Sequence, residues 1–539
     1  MKLDLLIRNA RLLEPVSRDP GACSIGLLNG RIVGIDDDIA DLGARSTIDA
    51  QGATILPGLH DAHVHTTSYG LGLSMLDLSG VSGLQPLLEA VATYAGGLPA
   101  GDWVIGSGYG LGLERGVHPS RSSLDNAADG RPVWLTHFSG HMCVLNTAAL
   151  AAVGISSGSS TGGRGGVGVD ADGEPDGLLE ESAMDLIKEY RGPSSIEDLA
   201  AAIGTATAVY AAEGVTTFVD AGIGSPGIDH SPVELAAYQL ARETGRLHVR
   251  GQLMVHDAVL HPVRSHPDDC IDQGLDLGVR TGFGDGWLEI GAMKIWLDGT
   301  GANDAFDDDP ATLRRSIVTG ARAGWQVAAH AMGDAALDLF LDALEEASAA
   351  GPTPGRTAAA RPHRVEHGAL IRPEQITRLA RLGVVVAHQP SFLTTFGDVT
   401  LSVIDEAQRP NSFRCRSLLD AGVVVAGSSD RPVAPGAPLA GVQAMVERTT
   451  ESGASFGPDE AIDARTALAT YTLGGAQAAG RAHRSGALRP GYDADLVMLA
   501  DDPTAVPTSQ IAAIGVLATL VAGDVVHDAS GLFDRSGQS

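Results

Sequence analysis

The chain has 539 residues, 44% hydrophobic and 19% charged, a balance that fits a folded globular protein with a large core and argues against disorder or fibrous repeats. Its 37 basic and 66 acidic side chains leave a net charge of −29, the wrong sign for gripping a phosphate backbone or an anionic membrane surface. Nucleic-acid and membrane partners are disfavoured, and a small-molecule substrate is the expected partner.

The N-terminal stretch MKLDLLIRNARLL alternates apolar and polar residues and reads as a strand rather than a secretion signal. No apolar run approaches the ~18 residues a membrane helix needs. Cys23, Cys143, Cys270 and Cys415 are scattered without metal or disulfide-framework spacing, so free thiols and a cytoplasmic location are expected.

Residues 1–56 read as short strands. Asn29-Gly30 between apolar runs predicts a tight hairpin, because both turn positions need positive φ. At the other end ADLVMLA (494–500) and IGVLATLVAGDVVHD (514–528) are strand-like again. Neither end has enough strands for a stable sheet, so one small β domain built from 1–56 plus 485–539 is expected.

From 57 to 484, short apolar runs alternate with helical patterns, which predicts βα units around a parallel sheet. Eight such runs are present: LHDAHVH, VTTFVDAG, LHVRGQLMV, IGAMKIWLDG, WQVAAHAMGD, HRVEHGAL, VVVAHQP and VVVAGSSD. Eight units predict an α/β fold, a (β/α)₈ TIM-like barrel. One connection, 66–214, is far longer than an ordinary loop and must carry structure of its own. Inserted after the first strand, it is expected to form a cap over the C-terminal face, with a hairpin around Asp170 to Gly173.

His63 and His65 have the i, i+2 spacing that puts two imidazoles on one face of a strand. With 17 histidines in the chain, chance alone supplies roughly half of one such pair, so the spacing needs context. The context is a Pro57-Gly58 break before the pair and further ligand-type residues at other strand ends: Lys294, His330, His367 and Asp430. Four histidines and a carboxylate converging on one mouth would be costly to desolvate without a cation. A divalent metal resolves that cost, Zn²⁺ first among the common ions, as one ion or two. Asp61 shares the inward face and would orient a histidine, whereas His60 has the opposite parity.

Lys2, Lys188 and Lys294 are the only lysines, and an ammonium repels a metal. Carboxylated by CO₂ to an N6-carboxylysine, Lys294 would bridge two ions, and arginine could not do this. The alternative is an unmodified lysine paired with Asp298 or with an acid group of the substrate. His388, on the seventh strand, either replaces a ligand or is a satisfied core histidine, and the second reading is preferred.

The segments LPGLHDAHVHTT, MKIWLDG, AAHAMGDAALDLFLDALE, RVEHGAL, LLDAGVVVAGSSDRPV and ALATYTLGGAQAAG through SGALRPGYDADLVMLADDP together resemble the amidohydrolase superfamily. They resemble its large-insert, YtcJ-like branch of metal-dependent hydrolases over nearly the whole chain. The layout is also similar to N-substituted formamide deformylases. The resemblance implies that His63, His65 and Asp430 bind a buried metal, that Lys294 as a carbamate bridges, and that His330 and His367 hold a second ion. Asp430 would be the catalytic proton shuttle, taking a proton from the attacking water and passing it to the leaving amine. His-Ala-Met-Gly-Asp on the fifth strand departs from the His-x-x-Glu of related nucleobase deaminases, which puts ring deamination in doubt.

Within the insertion, His137 and His141 stand four apart at what reads as a helix start, and both are substrate-binding candidates, as are Trp296 and Asp298 near the mouth. The expected activity is hydrolysis of a carbon–nitrogen bond in a small amide, an N-substituted formamide among the options. The same hydroxide would also attack an ester, lactone or carbamate. A non-catalytic metal-binding regulator is the rival of another class. A homodimer is compatible with the sequence.

Overall fold

The computed structural model describes residues 2–14, 22–110, 112–114, 116–138, 142–156, 159, 166–225, 231, 233–263, 273–299, 305–349 and 361–533. The chain separates into two compact units, Met1–Thr66 with Ala206–Asp229 and Val233–Ser539, and Thr67–Thr205 with His230–Pro232.

In the first unit, strands from both ends of the chain share one sheet. Its order is Asp524–Asp528, Val516–Val521, Leu496–Leu499, Thr54–Pro57, Lys2–Leu12, Ala22–Leu28 and Arg31–Ile35, with Gly43–Asp49 also beside Lys2–Leu12. The seam between the two ends is the antiparallel pairing of Thr54–Pro57 with Leu496–Leu499. Asn29 (φ 50°) and Gly30 (φ 72°) form the two-residue turn that their sequence predicts, since Leu28 pairs directly with Arg31. Leu5, Ile7, Ile25, Ile55, Leu496 and Leu520 are among the side chains that pack into its core.

The same unit holds the barrel: β1 (Leu59–Val64), β2 (Val215–Ile223), β3 (Arg250–His256), β4 (Leu288–Trp296), β5 (Val327–Ala331), β6 (Arg364–His367), β7 (Val385–His388) and β8 (Val425–Gly427). They lie side by side in chain order and all seven neighbouring pairs are parallel. β8 and β1 share no ladder, but just beyond β8 the Asp430 amide donates to the His63 carbonyl (2.8 Å) and the His65 amide donates to the Arg431 carbonyl (2.9 Å). These two bonds join the ends at the C-terminal rim.

Val219, Ala221, Met254, Ala292 and Ala328 form an apolar plug from β2 to β5. Outside, strand residues such as Val327, Val365 and Val386 pack with the buried stripes of Asp334–Ala349 and Pro373–Leu382. The second of these helices opens with Pro at its first position and ends on left-handed Gly383, both usual terminus signals. His60 points away from the interior, and Gly475 admits it: a Cβ there would lie 2.4 Å from the His60 Cβ.

The second unit carries a six-stranded sheet in the order Val167–Val169, Pro175–Glu180, Met142–Leu145, Val133–His137, Val104–Tyr109 and Leu76–Asp77. The predicted turn lies between the first two of these strands, with the Asp170 carboxylate accepting from the Asp172 and Glu174 amides. No helix among the described residues is long and apolar enough to cross a membrane.

Candidate functional site

The site grows from the rim where β1 and β8 meet. His63 Nδ1 lies 2.6 Å from Glu366 Oε2, and its Nε2 lies 3.3 Å from Asp430 Oδ1. His65 Nε2 lies 3.1 Å from the same oxygen. Donors about 2.0–2.1 Å from a tetrahedral cation stand about 3.3 Å apart, so each of the two nitrogens is at ligand-to-ligand spacing from the Asp430 oxygen. One ligand atom each from His63, His367 and Asp430 also fall within 4.8 Å of one another. Asp430 Oδ1 is buried and accepts no hydrogen bond from the described residues. A buried carboxylate oxygen facing two imidazole nitrogens fits a cation. Burial would raise the Asp430 pKa, but His63, His65 and His367 hold it well below the usual carboxylate range.

Several groups fix Asp430. It sits three residues past β8 in a left-handed conformation (φ 59°). Beside it, Ser429 donates to Asp61 from its amide (2.9 Å) and its hydroxyl (2.5 Å). On the other side the buried Arg431 guanidinium pairs with Glu213 at 2.5 Å and lies over the Tyr210 ring. Asp61 therefore does not orient a histidine ring, as its parity predicts. A short carboxylate reaches the facing amide more easily than a ring two residues along its own strand, so it ties β1 to the segment after β8.

Across the mouth, Lys294 on β4 is fully buried and has no hydrogen bond or ion pair among the described residues. Burial pushes its amine down to about 8, against the pull of Glu366 and Asp430. It is not paired with Asp298, whose oxygens accept from the Met332 (3.0 Å) and Gly333 (2.7 Å) amides and shape the turn after β5. Trp296 stacks on His330 with centroids 4.6 Å apart and planes 4° apart, and its buried indole N–H has no acceptor among the described residues. His330 Nε2 lies 3.1 Å from the Gly299 carbonyl and its ring centroid 4.5 Å from that of His367. Burial, then Lys294, pushes the His330 pKa down to about 3. His367 Nδ1 lies 2.8 Å from Gln389 Oε1, and its ring stacks at 6.0 Å on Phe392.

Sequence reasoning missed Glu366, Arg364 and Gln389. Glu366 receives Arg364 Nε (2.6 Å) and Nη2 (2.9 Å) as well as the His63 ring, all of them buried. A carboxylate behind a ligand imidazole fixes its orientation and tautomer. The available signal was the charged i, i+2 pair Arg364 and Glu366 inside an otherwise apolar barrel strand.

His388 is buried but not satisfied. It shares the outward face of β7 with Val386, against Phe413, and neither ring nitrogen has a partner among the described residues. Burial, then Arg448, pushes it down to about 3. In the second unit, His137 ends a strand whose antiparallel partner is Met142–Leu145, so the helical reading of this pair fails; the helix begins only at Thr147, capped by Asn146. The strand residues are β-branched or bulky up to Leu145, which favours the hairpin. The His137 ring lies 5.2 Å from that of Tyr109 and 5.9 Å from that of His118. His141 lies outside the described residues.

The amidohydrolase family model matches residues 46–527. The chain is 30% identical over 503 residues to the putative amidohydrolase YtcJ of Bacillus subtilis, covering 90% of each protein. It is 28% identical over 565 residues to the N-substituted formamide deformylase of Arthrobacter pascens, covering 98% of this chain and 99% of that one. Among solved structures, an uncharacterized metal-dependent hydrolase from Pyrococcus horikoshii superposes with a TM-score of 0.73 at 22% identity, over 94% of this chain and 99% of the other.

Proposed function

This chain belongs to the amidohydrolase family, and on that premise we propose that it hydrolyses a carbon–nitrogen bond in a small amide, with an N-substituted formamide as the first substrate to try. The observation that carries the reading is the buried, unbonded Asp430 Oδ1 facing two imidazole nitrogens at 3.1 and 3.3 Å. His63, His65, His367 and Asp430 would hold one divalent cation, Zn²⁺ by donor type, and Lys294 as a carbamate with His330 would complete a place for a second. Such a cation supplies Lewis acidity and a water acidic enough to give hydroxide near neutral pH.

The residues do the rest. Glu366 holds His63 in orientation. As the water oxygen bonds to the substrate carbonyl carbon, Asp430 accepts its proton and passes it to the nitrogen when the C–N bond breaks, so the amine leaves neutral. Its depressed pKa keeps it an acceptor at neutral pH. The free indole N–H of Trp296 is a donor for the substrate, and Asp298 is the further contact we assign to substrate. Cytoplasmic residence fits the scattered thiols.

The test is hydrolysis of a matched N-substituted formamide and formate ester by zinc-loaded and chelator-treated protein. Metal-dependent turnover with the amide preferred is expected. Preference for the ester would replace the amide reading, and absence of turnover on both would favour a regulator.

A further inference from the structure

A charge buried away from water ordinarily stands beside an opposite charge, because an unpaired ion is costly to desolvate. Arg448 departs from that rule. It is fully buried and closes the helix Pro438–Glu447 in a left-handed conformation (φ 47°). Its guanidinium donates to two carbonyls, from Nε to Phe456 (2.9 Å) and from Nη1 to Phe413 (3.1 Å), while Nη2 has no partner among the described residues. No carboxylate among them forms an ion pair with it.

Two neighbours could bring a negative charge, and neither does. Glu460 accepts from the Cys415 (3.0 Å) and Ser417 (2.9 Å) amides with Oε2 and from the Ser417 hydroxyl with Oε1, so it caps the helix Arg416–Asp420 instead. Burial pushes the Cys415 thiol up to about 12, which leaves it neutral. Phe413, whose carbonyl receives Arg448, has its ring 6.2 Å from that of His388, the histidine with two buried, unpartnered nitrogens. After burial, the Arg448 charge is what pushes the His388 pKa down, as a nearby cation does. Gly457 leaves room at the same place, since a Cβ there would lie 3.2 Å from Arg448 Nη2.

We propose that Arg448 Nη2 and a His388 ring N–H hold a small monovalent anion of the halide class, buried behind β7. One guanidinium calls for one negative charge, and a guanidinium, weakly hydrated, suits a buried ion pair better than an ammonium would. A neutral imidazole adds the second donor through its single N–H. The room that one glycine leaves suits a halide better than an oxyanion. Phe413 also meets Phe392 (6.5 Å), the ring stacked on His367, so the anion would lie behind the candidate centre and apart from it.

The test is urea unfolding of wild type, Arg448→Met and His388→Phe at neutral pH and constant ionic strength, with sodium gluconate exchanged stepwise for sodium bromide. An ion that binds only the folded chain should raise the wild-type midpoint as bromide rises. Arg448→Met should lose that response and His388→Phe should weaken it, although in gluconate alone His388→Phe keeps at least wild-type stability. Anomalous diffraction from wild-type crystals in bromide should show a peak beside Arg448 Nη2 and the His388 ring. Should Arg448→Met fail to fold, the diffraction and His388→Phe decide. A wild-type midpoint indifferent to bromide, an undiminished response in either variant, or a map without a peak between the two side chains overturns the proposal and leaves Nη2 to water.

Discussion

His63, Glu366, Arg364 and Asp430 form a run of contacts between 2.6 and 3.3 Å around β1, β6 and β8, whereas across the mouth Lys294 and His330 have no carboxylate within 3.5 Å. On the first side the buried Glu366 meets Arg364 and His63, and Asp430 faces two imidazoles. On the second, basic groups gather around an aromatic stack, and the carboxylate beside them, Asp298, stands 3.8 Å from His330 with its oxygens taken by the Met332 and Gly333 amides. The difference teaches that the chain ties one half of the centre together through short polar contacts and leaves the buried Lys294 of the other half without a hydrogen bond or ion pair among the described residues.

The sharpest way to break this comparison is to remove the acceptor on the assembled side. Asp430→Asn should keep the fold and lower kcat by about 10³-fold, since positioned proton transfer contributes 10²–10⁴. Steady-state kinetics with a thermal melt as the folding control decides it, and wild-type turnover would remove Asp430 from the chemistry.

Glu366→Gln should weaken zinc binding by about 10–100-fold, the usual loss when the group behind a ligand imidazole is replaced. Competition against a chromogenic chelator measures it. If affinity stays within a factor of two, the ordering credited to that half does not come from Glu366.

The smallest effect belongs to His388, outside both halves. Its folded pKa of about 3 lies below the ordinary imidazole value near 6.5, so between those pH values the unfolded chain binds a proton that the folded one refuses. Stability therefore falls as pH drops through that window, by up to about 1.4 kcal/mol per unit. His388→Phe removes that slope and leaves neutral-pH stability equal or higher, because no hydrogen bond is lost. Urea melts at pH 7, 6 and 5 check both parts.

The barrel was legible because its strands are apolar runs at regular spacing, and His63, His65 and Asp430 were picked out because ligand-type residues close two of the runs. Glu366 was not, and the obstacle is backbone geometry. Strict alternation sends Glu366 and His367 to opposite faces, so choosing His367 discards its neighbour. His367 takes φ 73° and Gly368 φ 59°, which breaks the alternation and lets both reach the centre. The hairpin at His137 was misread for a related cause, since an i, i+4 pair fits a helix face and also the two arms of a tight turn. His388 was read as a satisfied core histidine, and its unmet nitrogens follow from what lies behind β7, which one strand's pattern does not encode.

The pairing of Thr54–Pro57 with Leu496–Leu499 also has a consequence for biosynthesis. Some 440 residues separate the two strands, so at about 5–20 residues per second a ribosome needs roughly 20–90 s to deliver the second after the first. For that interval the nascent chain presents an unpaired apolar edge, the kind that recruits other strands. Yield during expression should therefore respond to holdase chaperones and to slower, cooler growth more than the stability of the finished molecule would suggest.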